Sequence, residues 1–274
     1  DYTQNDIRGL YVRRFKKDIE AEVGESFRDR ELSLERVETN DEEDDVFDLL
    51  ADAEFRTVGR SGDGTLFRTL LLKAFLSSPD ACASTIRKRL DHPDVRDAST
   101  EAAEHDRRLL NDLLDAVEAV THDNNTKLDR LVELLESWDW SGNRYGDRVV
   151  IFAERIDTLE MLREFLVDHF NMADDRIAIF DGHLDDQHQQ ELVSDFGTKD
   201  GKVQILLGSD AAAEGINLHH FCHRLVHFDV PLVADHARTT QRAHRSLRPD
   251  RDTGHPLSVE RPRLRRGPGR PPGH

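Results

Sequence analysis

Cysteine, lysine and long apolar runs are scarce in this sequence, and each scarcity excludes something. Two isolated cysteines in 274 residues, Cys82 and Cys222, cannot build a disulfide framework. With no secretory leader in the sequence, they point to a cytoplasmic protein. No stretch approaches the ~18 apolar residues of a membrane span, so no membrane partner is expected. Lysine supplies only seven of the 38 basic residues, and 55 acidic residues bring the net charge to −17. That balance suits a salt-rich cytoplasm and hence a salt-adapted organism. Such a surface repels nucleic acid in dilute solution, but at ~1 M salt the repulsion is screened within ~3 Å, so a DNA partner is not excluded. The length allows one or two buried cores, and a start at Asp1 rather than Met reads as a piece of something longer.

From Asp41 to Trp138 apolar residues recur at three- and four-residue spacing, in "DVFDLLADAEFRTV", "TLFRTLLLKAFLSS", "ACASTIRKRL", "EHDRRLLNDLLDAVEAV" and "KLDRLVELLESW". This predicts helices. They are broken at "GRSGDG", at "SSPD", where Ser77 or Ser78 caps with Pro79 in the first turn, and at "HDNN". After "SGNRYGD" the texture changes to the short apolar runs "RVVIFA", "RIAIF", "VQILLGS" and "RLVHFDV". The first three of these runs are separated by the amphipathic segments "IDTLEMLREFLVDHF" and "DDQHQQELVSDFG". That order predicts an α/β fold, a parallel sheet with crossover helices, preceded by a mostly helical segment. The strands are apolar throughout, as strands covered on both faces are. From Leu232 onward there is no lysine, but there are ten arginines, four acids and six of the nine prolines, a net charge of +6 against −23 for the rest. Such a tail cannot bury a core and is expected to be disordered. The expected divisions are 1–147, 148–231 and 232–274.

Several motifs invite chemistry that their context does not support. "GTKDGKV" at 197–203 imitates a phosphate loop, but it has three residues between its glycines, a valine where Ser or Thr would bind magnesium, and a strand after it rather than before. It reads as a helix-to-strand turn. "DEED" at 41–44 reads as a solvated helix start, because "RVETN" ahead of it is no buried strand, and "GRSGDG" at 59–64 reads as a loop. In "HHFCHRLVH", His219, His220, Cys222, His223 and His227 offer metal-ligating atoms, but no second Cys/His pair completes a four-ligand spacing, so no metal is expected.

The most specific string is "SDAAAEGINL" at 209–218. It follows "VQILLG", so Ser209, Asp210, Glu214 and Gly215 fall at the carboxyl end of a parallel strand, where α/β sheets place ligands. On these residues the chain resembles the second RecA-like lobe of superfamily 2 helicases, in particular the Swi/Snf-type double-stranded DNA translocases. "RVVIFAERIDTLEMLREFL" looks like the first strand and helix of that lobe. "IFDGHLDDQHQQELVSDFG" looks like the element where relatives carry "DG" before a helix start rich in glutamine and arginine, and "FCHRLVHFDVP" resembles the last strand before the arginine motif. "YVRRFKKDI" at 11–19, with Arg13, Arg14 and Lys16, is similar to the basic segment joining the lobes. The resemblance is dense over 148–231 and thin toward the N-terminus.

That resemblance implies a helical inter-lobe linker or insertion over 1–147. It also implies an ATP/DNA cleft lined by Ser209, Asp210, Glu214 and Gly215, with coupling of ATP hydrolysis to movement on DNA. ATP and Mg2+ are held mainly by a first lobe, whose phosphate loop and acidic magnesium ligand are not in this sequence. The implied partners are DNA, double-stranded by preference, and that first lobe. By itself the chain is expected not to hydrolyse ATP. A non-catalytic nucleic-acid-binding module, relying on the arginine tail, and a lobe of an RNA helicase stay open.

Relatives continue past the last strand with a motif like "PWSPxRLEQRxGRxDRxGQ", two arginines of which reach the γ-phosphate. A planar, permanently charged guanidinium suits that task. Here "QRAHR" keeps the spacing with Gln241, Arg242 and Arg245, but it lies two residues too far from Pro231 and lacks the tryptophan-proline lead-in and the glycine. Residues 232–251 admit a set of codons whose reading, shifted by one base, is "WSPTTLEQRNGRIDRYGQT". The expectation is therefore a one-base insertion near codon 232 that leaves 232–274 out of frame, with Arg242 and Arg245 as the in-frame fallback for the catalytic arginines.

Overall fold

The computed structural model describes residues 30–58, 64–140, 142, 148–182, 184–198, 200–209, 222–229 and 254–262. Local capping sets the helix starts. The Asn40 side chain accepts from the Glu43 amide and the Glu43 carboxylate accepts from the Asn40 amide, a reciprocal cap that opens α1 (Asp41–Asp52). Before α2 (Thr65–Ser77) the chain turns through Gly64 at φ 60°, where a Cβ would lie 2.7 Å from Phe55 Cβ; only glycine fits. Ser78 caps α3 (Pro79–Leu90) with Pro79 in its first turn, as expected. The short α4 (Pro93–Arg96) follows, then α5 (Glu101–Ala119) capped by Thr100 and α6 (Thr126–Ser137) capped by Asn125. Helices α1 to α5 close a core around Val46, Leu50, Phe55, Leu71, Phe75, Ile86, Leu110 and Leu113. Asp106, fully buried, fixes the turn after α1 by accepting from the Arg56 and Thr57 amides, each at 2.8 Å.

The second half is β2 (Arg148–Ala153), α7 (Ile156–His169), β3 (Ile177–Phe180), α8 (Asp186–Phe196), β4 (Ile205–Ser209) and β5 (Cys222–His227). These four strands lie in the order β5-β2-β4-β3, and every pair is parallel. Alternation along each strand divides the core in two. Val149, Ile151, Ile205, Leu207 and Val226 face α6 and α7, while Val150, Phe152, Phe180 and Leu206 face α8. This is the α/β parallel sheet with crossover helices that the sequence pattern predicts, in agreement with the RecA-like fold that the resemblance implies.

Two strands depart from the expectations. β1 (Arg30–Glu38) lies in the segment expected to be helical, and β6 (Gly254–Pro262) lies in the tail expected to be without structure. They extend the sheet to the order β1-β6-β5-β2-β4-β3, with β6 antiparallel to β5. In β1 the period of two is carried by exposure rather than hydropathy: Ser33, Glu35 and Val37 turn inward, Leu34, Arg36 and Glu38 outward. Charged residues on both faces hide that alternation in the sequence. β6 covers what is otherwise the open edge of β5. Packing also draws α6 into the sheet's core through Leu128, Leu131, Leu134 and Leu135, ahead of the expected division at 147. Residues Leu32–Glu260 form one compact unit; the other unit, Asp1–Glu31 with Arg261–His274, falls almost wholly outside the described residues.

Candidate functional site

The strand register gathers one edge of the sheet. Ala153 pairs with Ser209 and Phe152 with His227, so the exits of β2, β4 and β5 lie side by side. Parallel sheets bind ligands at this edge. Ser209, half-buried, opens "SDAAAEGINL" there. Gly208 before it lets the Phe152 ring approach; a Cβ would meet that ring at 3.0 Å. Asp210, Glu214 and Gly215 lie outside the described residues, as do Arg13, Arg14, Lys16, Gln241, Arg242 and Arg245. Of the expected site residues, Ser209 is the one whose position the structure describes.

Just past the ends of β2 and β5 sits a buried polar cluster that sequence reasoning did not find. Asp229, two residues past β5, accepts from Lys127 Nζ at 3.0 Å, from Ser77 Oγ at 2.7 Å and from the Glu154 amide at 2.8 Å. Lys127 Nζ also donates to the carbonyls of Leu76 (2.8 Å) and Ser77 (3.1 Å), which uses all three of its protons. It lies 4.0 Å from the centre of the Phe228 ring. The two side chains are 5% and 9% exposed. Burial pushes the Lys127 ammonium below its ordinary range, while the Asp229 charge and hydrogen bond oppose that shift. Thr158 Oγ1 closes the group, 2.7 Å from Ser77 Oγ and 2.8 Å from Ser78 Oγ. Two signals were present in the sequence: a lysine in a lysine-poor chain at the first turn of a helix, where a cation is disfavoured, and an aspartate inside the apolar run "LVHFDVP".

The other motifs settle into structural roles. "GTKDGKV" is the turn from α8 to β4, as expected. Arg148 Nη1 and Nη2 donate to the carbonyls of Asp195 and Gly201, each at 3.3 Å, and Nη2 also donates to the carbonyl of Thr198. A Cβ at Gly201 would collide with the Asp195 carbonyl. "DEED" does start a helix, but it is not wholly solvated: Glu43 is buried and accepts from the Thr126 amide (3.1 Å) and hydroxyl (2.7 Å). Cys222 Sγ lies against the carbonyls of Arg148 and Arg224. Among the described residues no group of three or more His, Cys, Asp or Glu side chains could hold a metal ion, and no helix is long and apolar enough to cross a membrane.

Helices cover both faces of the parallel sheet, and Ser209 at its carboxyl edge is the first residue of "SDAAAEGINL" in the sequence. Residues 126–250 match the family described as "Helicase conserved C-terminal domain". That segment is similar to the helicase C-terminal domain, and the match supports a helicase C-terminal lobe over these residues. The match takes in α6, as the packing does, and the residues that hold Gln241, Arg242 and Arg245. Over 155 residues the chain is 28% identical to the "Uncharacterized ATP-dependent helicase YqhH" of Bacillus subtilis, an alignment that covers 57% of this chain and 24% of that protein. The chain thus spans about a quarter of that relative's length. In fold it is similar to the Hef helicase domain of Pyrococcus furiosus, with a TM-score of 0.50 and 14% identity over 76% of this chain and 51% of that one. A weaker likeness, TM-score 0.42 at 18% identity, covers 70% of this chain and 33% of the SWI2/SNF2 ATPase core domain of Sulfolobus solfataricus.

Proposed function

We propose that the chain is the second lobe of an ATP-dependent, Swi/Snf-like DNA translocase, joined through its helical half to a first lobe that holds ATP and Mg2+. The observation that carries the reading is the family match over 126–250 lying on a parallel sheet whose carboxyl edge presents Ser209 at the head of "SDAAAEGINL". Asp210, Glu214 and Gly215 then line the inter-lobe cleft, and Arg13, Arg14 and Lys16 form the basic segment between lobes. DNA as the partner rests on "AEGINL" and "CHRLVHFD", which look closer to the DNA-translocase branch than to RNA helicases. ATP use rests on the name of the Bacillus subtilis relative and on the family.

In this reading the lobe receives the nucleotide rather than holds it. Asp229, a buried carboxylate just past β5, is engaged within the lobe by Lys127, Ser77 and the Glu154 amide. Bound ATP–Mg2+ supplies the phosphoanhydride that is cleaved; this lobe's part is to bring arginines to its γ-phosphate. In the frame as written these are Arg242 and Arg245. We further propose that the native motif is encoded one base away, downstream of Pro231. Resequencing the locus tests this: a shift near codon 232 is expected, and an intact single-frame read leaves Arg242 and Arg245 as the arginines. Strand-separation and translocation assays on DNA and RNA duplexes test the substrate, with activity on double-stranded DNA expected. Activity confined to RNA overturns the DNA reading.

A further inference from the structure

Ser77 and Lys127 belong to none of the strings that carry the resemblance, although Glu154, Thr158 and Asp229 do, and five segments converge on their cluster: the α2–α3 corner, α6, the loop after β2, α7 and the exit of β5. We propose that Ser77 and Lys127 are positioning residues for ATP hydrolysis. Through Asp229 they fix the point where the chain leaves β5 toward the arginine-bearing segment, and through the Glu154 amide on the same carboxylate they fix the neighbouring loop. The inference rests on the helicase-lobe reading of the sheet.

Three features argue for positioning over simple adhesion. The cluster is placed against the interest of its own helix, since Lys127 lies at the N-terminal turn of α6, where the helix dipole disfavours a cation. Its ammonium instead lies at the C-terminal carbonyls of α2, Leu76 and Ser77, so one side chain ties two helices to the sheet. Adhesion between the two halves is already supplied by α3 packed on α7, and apolar side chains could seal the joint without burying charge. A carboxylate held by three donors on three segments adds direction: apolar contacts permit sliding, whereas this carboxylate has one arrangement. In the proposed enzyme the arginines that follow in the sequence act on a phosphate held by another lobe, where a misplacement of about 1 Å can cost about a hundredfold in rate.

The test is steady-state ATP hydrolysis by the two-lobed enzyme with saturating double-stranded DNA, in the frame as written and with the frame restored at codon 232. Wild type is compared with Ser77→Ala, Lys127→Arg and Lys127→Met. Ser77→Ala leaves two donors on Asp229 and keeps the test open where Lys127→Met does not fold. The expected result is a kcat about tenfold lower for Ser77→Ala at unchanged KM for ATP, and more activity from Lys127→Arg than from Lys127→Met. A wild-type kcat in Ser77→Ala, even with a lowered melting temperature, overturns the inference while the helicase reading stands. Absence of hydrolysis by the wild type in both frames overturns the reading and the inference together.

Discussion

Between Val149 and Ala153 in β2, and between Ile205 and Gly208 in β4, no side chain carries a charge, and both strands are buried on both faces. Three joints of the helical half, by contrast, pass through a buried polar group: Glu43 ties α1 to Thr126, Asp106 ties the turn after α1 to α5, and Lys127 ties α2 and α6 to Asp229. The contrast separates two tasks. Apolar burial is non-directional and supplies most of the free energy. A buried polar group tolerates one set of partners only, so it fixes which segments meet and in what orientation. The sheet is built to be stable, and the helical half is built to be held in one place upon it.

The largest test of that difference is Lys127→Met. It strands Asp229 in the interior and is expected to cost roughly 3–5 kcal/mol in urea unfolding. Adding Asp229→Leu should recover most of the loss, because the pair's absence is tolerated and its half-presence is not. Next come Leu207→Ala in the sheet and Leu110→Ala in the helical core, each fully buried and each expected to cost about 2–5 kcal/mol. If the cluster joins the two cores, both variants unfold in a single transition; separate transitions would break the comparison. Asn40→Ala removes the α1 cap and is expected to cost about 1 kcal/mol.

The smallest effect is one of pH. Burial raises the Glu43 carboxyl above its ordinary value, against the hydrogen bonds from Thr126 and Asn40. The folded state therefore keeps a proton that the unfolded chain has lost. This contribution to stability is full below about pH 4.5 and falls as pH rises through the raised value. Glu43→Gln removes the fall, so the stability of the wild type relative to the variant should decline with pH across that window. Chemical denaturation at several pH values reads it directly.

The sheet was legible because its strands are apolar on both faces and alternate with amphipathic segments; each run from "RVVIFA" to "RLVHFDV" became the expected strand. β1 was not legible, since "RELSLERVE" places charges on both faces and its alternation appears only as exposure. β6 was hidden by an arginine- and proline-rich composition that argues for a tail. At the site, Ser209 could be placed by its position after an apolar strand. Lys127, Ser77, Thr158 and Asp229 could not, because their meeting depends on sequence separations of 50 to 152 residues that no local pattern records. The lone lysine at a helix start was a clue to a buried partner, but not to which one.

The most direct measurement is Mg2+-dependent ATP hydrolysis by the purified 274-residue chain, alone and joined to the proposed first lobe, with and without double-stranded DNA. A second lobe that lends arginines to a nucleotide held elsewhere predicts no hydrolysis above background from the chain alone and DNA-stimulated hydrolysis from the joined lobes. Robust hydrolysis by the chain alone would contradict it.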